Sequence, residues 1–272
     1  MPPELIVALD MPSSQSLSAL LPGLPREILW FKVGLELFAA EGPRALDPLR
    51  AQGKKIFLDL KLHDIPHTVE RAVTAAAQHG IGMLTLHASG GRAMLEAAVQ
   101  AAQIAGARAP KLIAVTTLTS LSQADLTEIG ISREMKDQAL ALGELALDSG
   151  LDGLVASAQE VEHLRRRFGP KPLLVTPGIR PAGGAAGDQK RVATPTLAVR
   201  AGSNFLVVGR PILEAADPGA AALAILNEIR NASGHQNSGG LCHSERSGAK
   251  SKNLKPNVLR AKGDPSTSLG MT

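Results

Sequence analysis

The segment FLDLKLHD, residues 57–64, sets Asp59, Lys61 and Asp64 into an otherwise apolar run. In a strand side chains alternate, so Phe57, Asp59 and Lys61 share one face, while Ile56, Leu58, Leu60 and Leu62 share the other. Asp64 falls just beyond, in the loop. An acid and an ammonium enclosed together suit electrostatic and proton-transfer chemistry; on the wet face of an antiparallel strand they would be an ordinary ion pair. Lys32, near the end of a second apolar run, extends the set. Alternating charges of this kind keep one another ionised.

A second constellation lies in TPGIRP (176–181) and VVGRP (207–211). In each, glycine lets backbone N–H groups approach an anion and arginine supplies a two-pronged charged contact. Between them, AGGAAGDQKR (182–191) reads as a mobile lid, with glycine hinges and polar Asp188 and Gln189 at its far end.

The elements that must position these residues follow from hydrophobic patterning. Strands are expected at ELIVALD (4–10), LWFKVG (29–34), KIFLDLKL (55–62), MLTLHA (83–88), KLIAVTTL (111–118), GLVAS (153–157), LLVTPG (173–178) and FLVVGR (205–210). Between most of them lie Ala-rich, helix-periodic stretches. HTVERAVTAAAQHG ends on Gly80, RAMLEAAVQAAQIAG on Gly106 and AQEVEHLRRRFG on Gly169, each glycine suited to a left-handed C-terminal cap. Alternating strands and helices over residues 1–232 predict a single-domain α/β fold, a (β/α)₈ TIM barrel, whose active sites form at the C-terminal strand ends. Asp59, Lys61 and Lys32 would face inward there, and the loops after strands seven and eight are where such barrels bind phosphate. A doubly wound open sheet is the alternative fold. It would carry a glycine-rich loop after its first strand, and LDMPSSQS has no glycine.

Residues 233–272 are rich in Ser, Gly, Lys and Asn without a periodic apolar face, and are expected to be a disordered, low-complexity tail. The abrupt change of character suggests translated non-coding sequence. This tail holds six of the 29 Lys and Arg residues and two of the 25 Asp and Glu residues, leaving 23 of each in residues 1–232. The basic balance therefore belongs to the tail and does not indicate a nucleic-acid partner. The sole cysteine, Cys242, lies in the tail, so neither an intrachain disulfide nor a cysteine metal site is expected. MPPELIVALD has no basic region leading an apolar signal core, and no apolar run nears the ~18 residues of a membrane span. A cytoplasmic protein without a membrane partner is expected. Trp30 and the five Phe read as core residues, His87 as a structural histidine, and His63 and His67 flank Asp64 without forming a convincing metal site.

DLKLHDIPHT (59–68), with VALD (7–10), FKVG (31–34), LTS (118–120), TPGIRP, GDQ (187–189) and VVGRP, closely resembles the orotidine 5′-phosphate decarboxylase family, in order across residues 4 to about 230. Asp-x-Lys-x-x-Asp alone is shared with related barrels such as the 3-keto-gulonate 6-phosphate decarboxylases; DIPHT combined with TPGIRP is more specific. The resemblance implies conversion of orotidine 5′-monophosphate to UMP and CO₂, in pyrimidine biosynthesis, without metal or organic cofactor. It implies Lys61 as proton donor to pyrimidine C6 and Asp59 against the substrate carboxylate. Asp64 would be shared across a homodimer interface. Lys32 would complete the charged array and, with Asp10, hold the ribose. Thr68 matches a ribose-contacting position and Thr119 a pyrimidine-contacting one. Arg210, the Gly209 backbone and Arg180 would bind phosphate, with Gln189 reaching from the lid. Two other readings stay open: a metal-dependent sugar-phosphate decarboxylase or aldolase of the same superfamily, and a non-catalytic barrel that binds a phosphate ligand.

Overall fold

Strands β1 (Glu4–Ala8), β2 (Trp30–Val33), β3 (Lys55–Leu62), β4 (Met83–His87), β5 (Lys111–Val115), β6 (Gly153–Val155), β7 (Leu173–Thr176) and β8 (Phe205–Val208) pair in parallel, in chain order. β8 pairs back onto β1, so the sheet is a closed barrel and the doubly wound alternative falls. The computed structural model describes residues 1–181 and 191–238. Residues 182–190 of the predicted lid, with Asp188 and Gln189, and residues 239–272 of the predicted tail, with Cys242, lie outside the described residues; Arg191, the last residue of the predicted lid, is described and buried.

β3 has the predicted limits, whereas the other strands stop short of their predicted C-terminal ends. The residues left over, among them Asp10, Thr116–Leu118, Pro177–Gly178 and Gly209–Arg210, leave the ladder and build the rim. Pro177 has no N–H to donate to a ladder, which helps to end β7. The three expected helices run Pro66–Ala77, Arg92–Ala105 and Ala158–Phe168. Their glycines do take positive φ, 63° at Gly80, 57° at Gly106 and 69° at Gly169. At Gly106 and Gly169, however, ψ is −121° and −162°. These are not left-handed caps but sharp reversals in backbone space open only to glycine. The final helix, Pro218–Ser238, continues past the expected boundary at residue 232.

Two apolar layers hold the barrel. Ile6, Ala8, Trp30, Phe57, Met83, Ile113, Val175, Phe205 and Val207 fill its interior, with Trp30 packed edge-on to Phe205 at 5.5 Å. Val7, Phe31, Val33, Ile56, Leu58 and Leu84, alternating with them, pack outward against the helices. Strands buried on both faces explain why most read as continuous apolar runs. Among the described residues no helix is long and apolar enough to cross a membrane.

Barrel closure depends on Gly153, which opens β6. A Cβ there would stand 2.2 Å from the Leu173 carbonyl oxygen and 2.7 Å from the Leu173 Cβ. Gly153→Ala must push β6 off β7 and is expected to cost about 1–3 kcal/mol, the usual range for overpacking. Urea denaturation of the two proteins measures this; equal midpoints would show that the strand spacing is not so constrained.

Candidate active site

β3 carries the decisive irregularity. Its register with β4 shifts between Leu58 and Leu62, and Lys61 has φ +50°, the sole positive value at a non-glycine among the described residues. Simple alternation therefore holds through Asp59 and fails at Lys61. The Lys61 N–H donates to Thr85 Oγ1 at 2.8 Å, and the Thr85 hydroxyl donates to Asp59 Oδ1 at 2.9 Å. Lys61 Nζ donates to Asp59 Oδ2 at 2.9 Å. One hydroxyl acting as acceptor and donor thus locks both the strained backbone and the carboxylate. Left-handed backbone at a residue with a side chain costs of the order of 1–3 kcal/mol and persists where its surroundings over-determine it.

β2 brings in Lys32, whose Nζ lies 2.9 Å from Asp10 Oδ1 and 3.5 Å from Asp59 Oδ2. The result is a chain of alternating sign, Asp10, Lys32, Asp59, Lys61. Gly34 leaves room for it: a Cβ there would sit 2.9 Å from Lys32 Nζ and 3.2 Å from Asp10 Oδ1. Burial, the largest influence on Asp59, pushes its pKa up by itself. The Lys32 and Lys61 charges, with the Lys61 and Thr85 hydrogen bonds, outweigh it and hold the carboxyl below the usual range. Burial likewise pulls Lys32 down, and Asp59 and Asp10 together outweigh it, raising its pKa above the ordinary lysine value.

These groups open into a cavity of about 660 Å³ at the C-terminal strand ends, a size suited to a small organic ligand. Asp10, Lys32, Asp59, Lys61, Thr119, Arg180, Gly209 and Arg210, all singled out from the sequence, line it together. Gly178, at φ +75°, turns the chain after β7 toward Arg180. The Arg180 N–H donates to the Ala193 carbonyl at 2.9 Å and the Ala193 N–H to that of Gly178 at 3.2 Å, tying together the residues that flank 182–190. β3 and β7 stand on opposite sides of the ring, so the segment after β7 that carries Arg180 and the lysine array line opposite sides of the cavity.

Asp64 and Thr68 do not line this cavity. Both are exposed and border a smaller hollow, about 300 Å³, with Lys61 and His63. Asp64 Oδ1 accepts from the Ile65 N–H at 2.7 Å, beside an Ile65 side chain that is 67% exposed. Gln189 lies outside the described residues. His87 is half-buried, 5.4 Å from the His63 ring, and does not line the cavity. Burial first, then His63 and Lys61, lower its pKa against the pull of Asp59. Among the described residues no group of three or more His, Cys, Asp or Glu side chains is set to hold a metal ion.

The sequence reading missed Thr85, and it missed Thr117, Glu160 and Arg191, a buried polar cluster of which Thr117 lines the cavity. Thr85 had a signal, being the polar residue inside the apolar run MLTLH. Nothing in the spacing of Thr117, Glu160 and Arg191 announces that they meet.

The family model described as "Orotidine 5'-phosphate decarboxylase / HUMPS family" matches residues 3–225. The chain is 52% identical over 229 residues to the orotidine 5′-phosphate decarboxylase of Halorhodospira halophila, covering 84% of this chain and 96% of that one. It is 48% identical over 231 residues to that of Nostoc sp., covering 83% and 97%. The crystal structure of orotidine 5′-phosphate decarboxylase from Lactobacillus acidophilus superposes with a TM-score of 0.74 at 42% identity, covering 84% of this chain and 99% of that one.

The shifted pKa values set opposite pH dependences. A carboxyl whose pKa is lower folded than unfolded contributes stability fully present above the unfolded value, about 4, and lost as pH falls through the folded value. An ammonium with a raised pKa contributes below the unfolded value, about 10.5, and loses that contribution as pH rises through the folded one. The stability gap between the parent and Asp59→Asn should therefore close in acid, and that between the parent and Lys32→Met in alkali. Urea unfolding across a pH series reads both; gaps independent of pH would refute the coupling.

Proposed function

The chain belongs to the orotidine 5′-phosphate decarboxylase / HUMPS family, and from that membership we propose that it decarboxylates orotidine 5′-monophosphate to UMP and CO₂, a step of pyrimidine biosynthesis. The observation that carries this reading is the lysine-carboxylate array, Lys61 Nζ 2.9 Å from Asp59, at the mouth of a cavity whose far side holds Arg180. The curated relatives named above favour this substrate over a sugar phosphate.

In this reading Arg180, Arg210 and the Gly209 backbone hold the phosphate, and Asp10 and Lys32 the ribose. Thr119 contacts the pyrimidine, and Gln189 reaches phosphate and base. The base then presents its C6 carboxylate to Asp59 and Lys61. As the bond to CO₂ breaks, the electron pair stays on C6, where the ring stabilises it poorly. The Lys61 ammonium strengthens its interaction as this charge grows, then donates its proton to C6 and is reprotonated from solvent. Repulsion between Asp59 and the substrate carboxylate would add ground-state destabilisation. Phosphate binding, remote from C6, supplies the energy that holds this geometry. No cofactor takes part.

Lys61→Ala is expected to lose turnover below detection while calorimetry still registers UMP binding. The assay is the spectrophotometric loss of orotidine 5′-monophosphate in EDTA. Near-normal turnover by that variant would overturn the proton-donor role, and loss of the parent's activity in EDTA would favour a metal-dependent sugar-phosphate enzyme.

The position of Asp64 and Thr68 outside this chain's own cavity suits a homodimer in which they complete the neighbour's site. Lys61→Ala and Asp64→Asn chains, each inactive alone, would then complement on mixing. Each heterodimer regains one intact site, so random reassociation is expected to restore about one quarter of parental activity, given two-fold symmetry. No recovery, despite heterodimers seen by native mass spectrometry, would place Asp64 within its own subunit's site.

A further inference from the structure

One buried ion pair takes no part in the chemistry above. Arg191 is the last residue of the AGGAAGDQKR stretch after β7, and Glu160 lies in the first turn of the Ala158–Phe168 helix, after β6. Their side chains are 9% and 5% exposed, and Arg191 Nη1 bonds Glu160 Oε1 directly. The same Nη1 lies 3.4 Å from Ser157 Oγ. Nη2 donates to the Leu118 carbonyl at 2.7 Å and reaches Thr117 Oγ1 at 3.4 Å. The Thr117 hydroxyl donates to Glu160 Oε1 at 3.2 Å, and Glu160 Oε2 accepts the Ser157 N–H at 2.9 Å.

The pair thereby joins the loops that follow β5, β6 and β7. Its bond to Leu118 falls on the stretch Thr117–Ser120, all four residues of which line the cavity. A peptide unit is planar, so fixing the Leu118 carbonyl fixes the Leu118–Thr119 plane and with it the position from which Thr119 faces the cavity. The groups assigned to phosphate, Arg180, Gly209 and Arg210, come from the ends of β7 and β8, whereas the Arg191 side-chain bonds described above go to the loops after β5 and β6; the chain next to Arg191 meets Arg180 through the backbone bond from the Arg180 N–H to the Ala193 carbonyl. Burying two charges is costly, and a hydrophobic pair of similar volume would often serve stability as well. What the ion pair adds is the directed hold on Leu118 and Thr117.

We propose that Arg191, oriented by Glu160, is a positioning residue that sets the Thr117–Ser120 wall against the base of the bound nucleotide. This rests on the nucleotide reading above. It makes Arg191 a determinant of how well the site separates a nucleotide from a bare sugar phosphate.

The test compares UMP with ribose 5-phosphate, which lacks the base, as competitive inhibitors of the full-length protein. Displacements of about 1 Å cost up to roughly 100-fold, so Arg191→Met is expected to weaken UMP by about 10- to 100-fold, with a parallel rise in KM for orotidine 5′-monophosphate. Ribose 5-phosphate inhibition should hold within about twofold, because the tie between Arg180 and Ala193 is made by backbone groups that the substitution leaves in place. Arg191→Met leaves Glu160 buried without its partner, so a second variant, Glu160→Gln with Arg191→Met, removes both charges and keeps an acceptor for the Ser157 N–H. It should regain thermal stability over Arg191→Met yet still fail to discriminate UMP. Equal weakening of both inhibitors, or recovery of UMP affinity together with stability in the double variant, would overturn the proposal and leave a purely structural pair. If the parent itself neither binds UMP nor consumes orotidine 5′-monophosphate, it is the reading of the substrate that fails.

Discussion

The barrel mouth is organised around one carboxylate that water scarcely reaches. Asp59 is 8% exposed, and an ionised carboxylate in that position costs several kcal/mol unless it is paired and hydrogen-bonded. Each neighbouring feature answers that demand. Lys32 and Lys61 supply charge from adjacent and same-strand positions, and Thr85 supplies a hydrogen bond from the strand on the other side. Gly34 is small enough not to displace Lys32, and Asp10 engages that lysine from its far side. Remove the carboxylate and the two ammonium groups face each other with nothing between them.

The two ends of the barrel divide the work. At the N-terminal end the bonds are made for closure. Arg165 donates to the carbonyls of Gly169, Pro172 and Gly202 and to Asn204 Oδ1, fastening the turns that lead into β7 and β8. Gly153 lets β6 approach the β7 backbone, and Trp30 plugs the interior with Phe205. At the C-terminal end polar and charged groups replace apolar ones in the same inward rows, Ala8 giving way to Asp10 and Phe57 to Asp59. This is the partition expected of such barrels, stability below and chemistry above.

Much of this was legible before any coordinates. Parallel strands buried on both faces leave near-continuous apolar runs, so all eight could be found, and a charged pair inside one of them stood out for the same reason. Glycine followed shortly by arginine marked the ends of β7 and β8. Other features were hidden because they arise from tertiary contact and not from local pattern. Period-two alternation put Lys61 on the inner face but could not show that its backbone leaves the strand conformation, since that depends on Thr85, 24 residues away. Arg191 meets Thr117 across 74 residues, a contact that no local spacing encodes. Asp64, which the sequence put in the loop just beyond the strand, borders a second hollow with Lys61 and His63 and does not line the cavity that holds Asp59.

The break in β3 bears on what can be transplanted. Asp-x-Lys-x-x-Asp is written as a linear motif, but its working geometry is a property of two strands: the Lys61 N–H is turned off the ladder and received by a hydroxyl from β4. Grafted into another barrel as a strand alone, the peptide would relax to ordinary extended backbone and carry its ammonium away from the carboxylate. The smallest portable unit is β3 together with its neighbour and the threonine at that depth. Any designer, or any gene duplication, that moves this chemistry to a new scaffold must move a hairpin-sized piece of sheet whose two halves are separated in the chain by a helix.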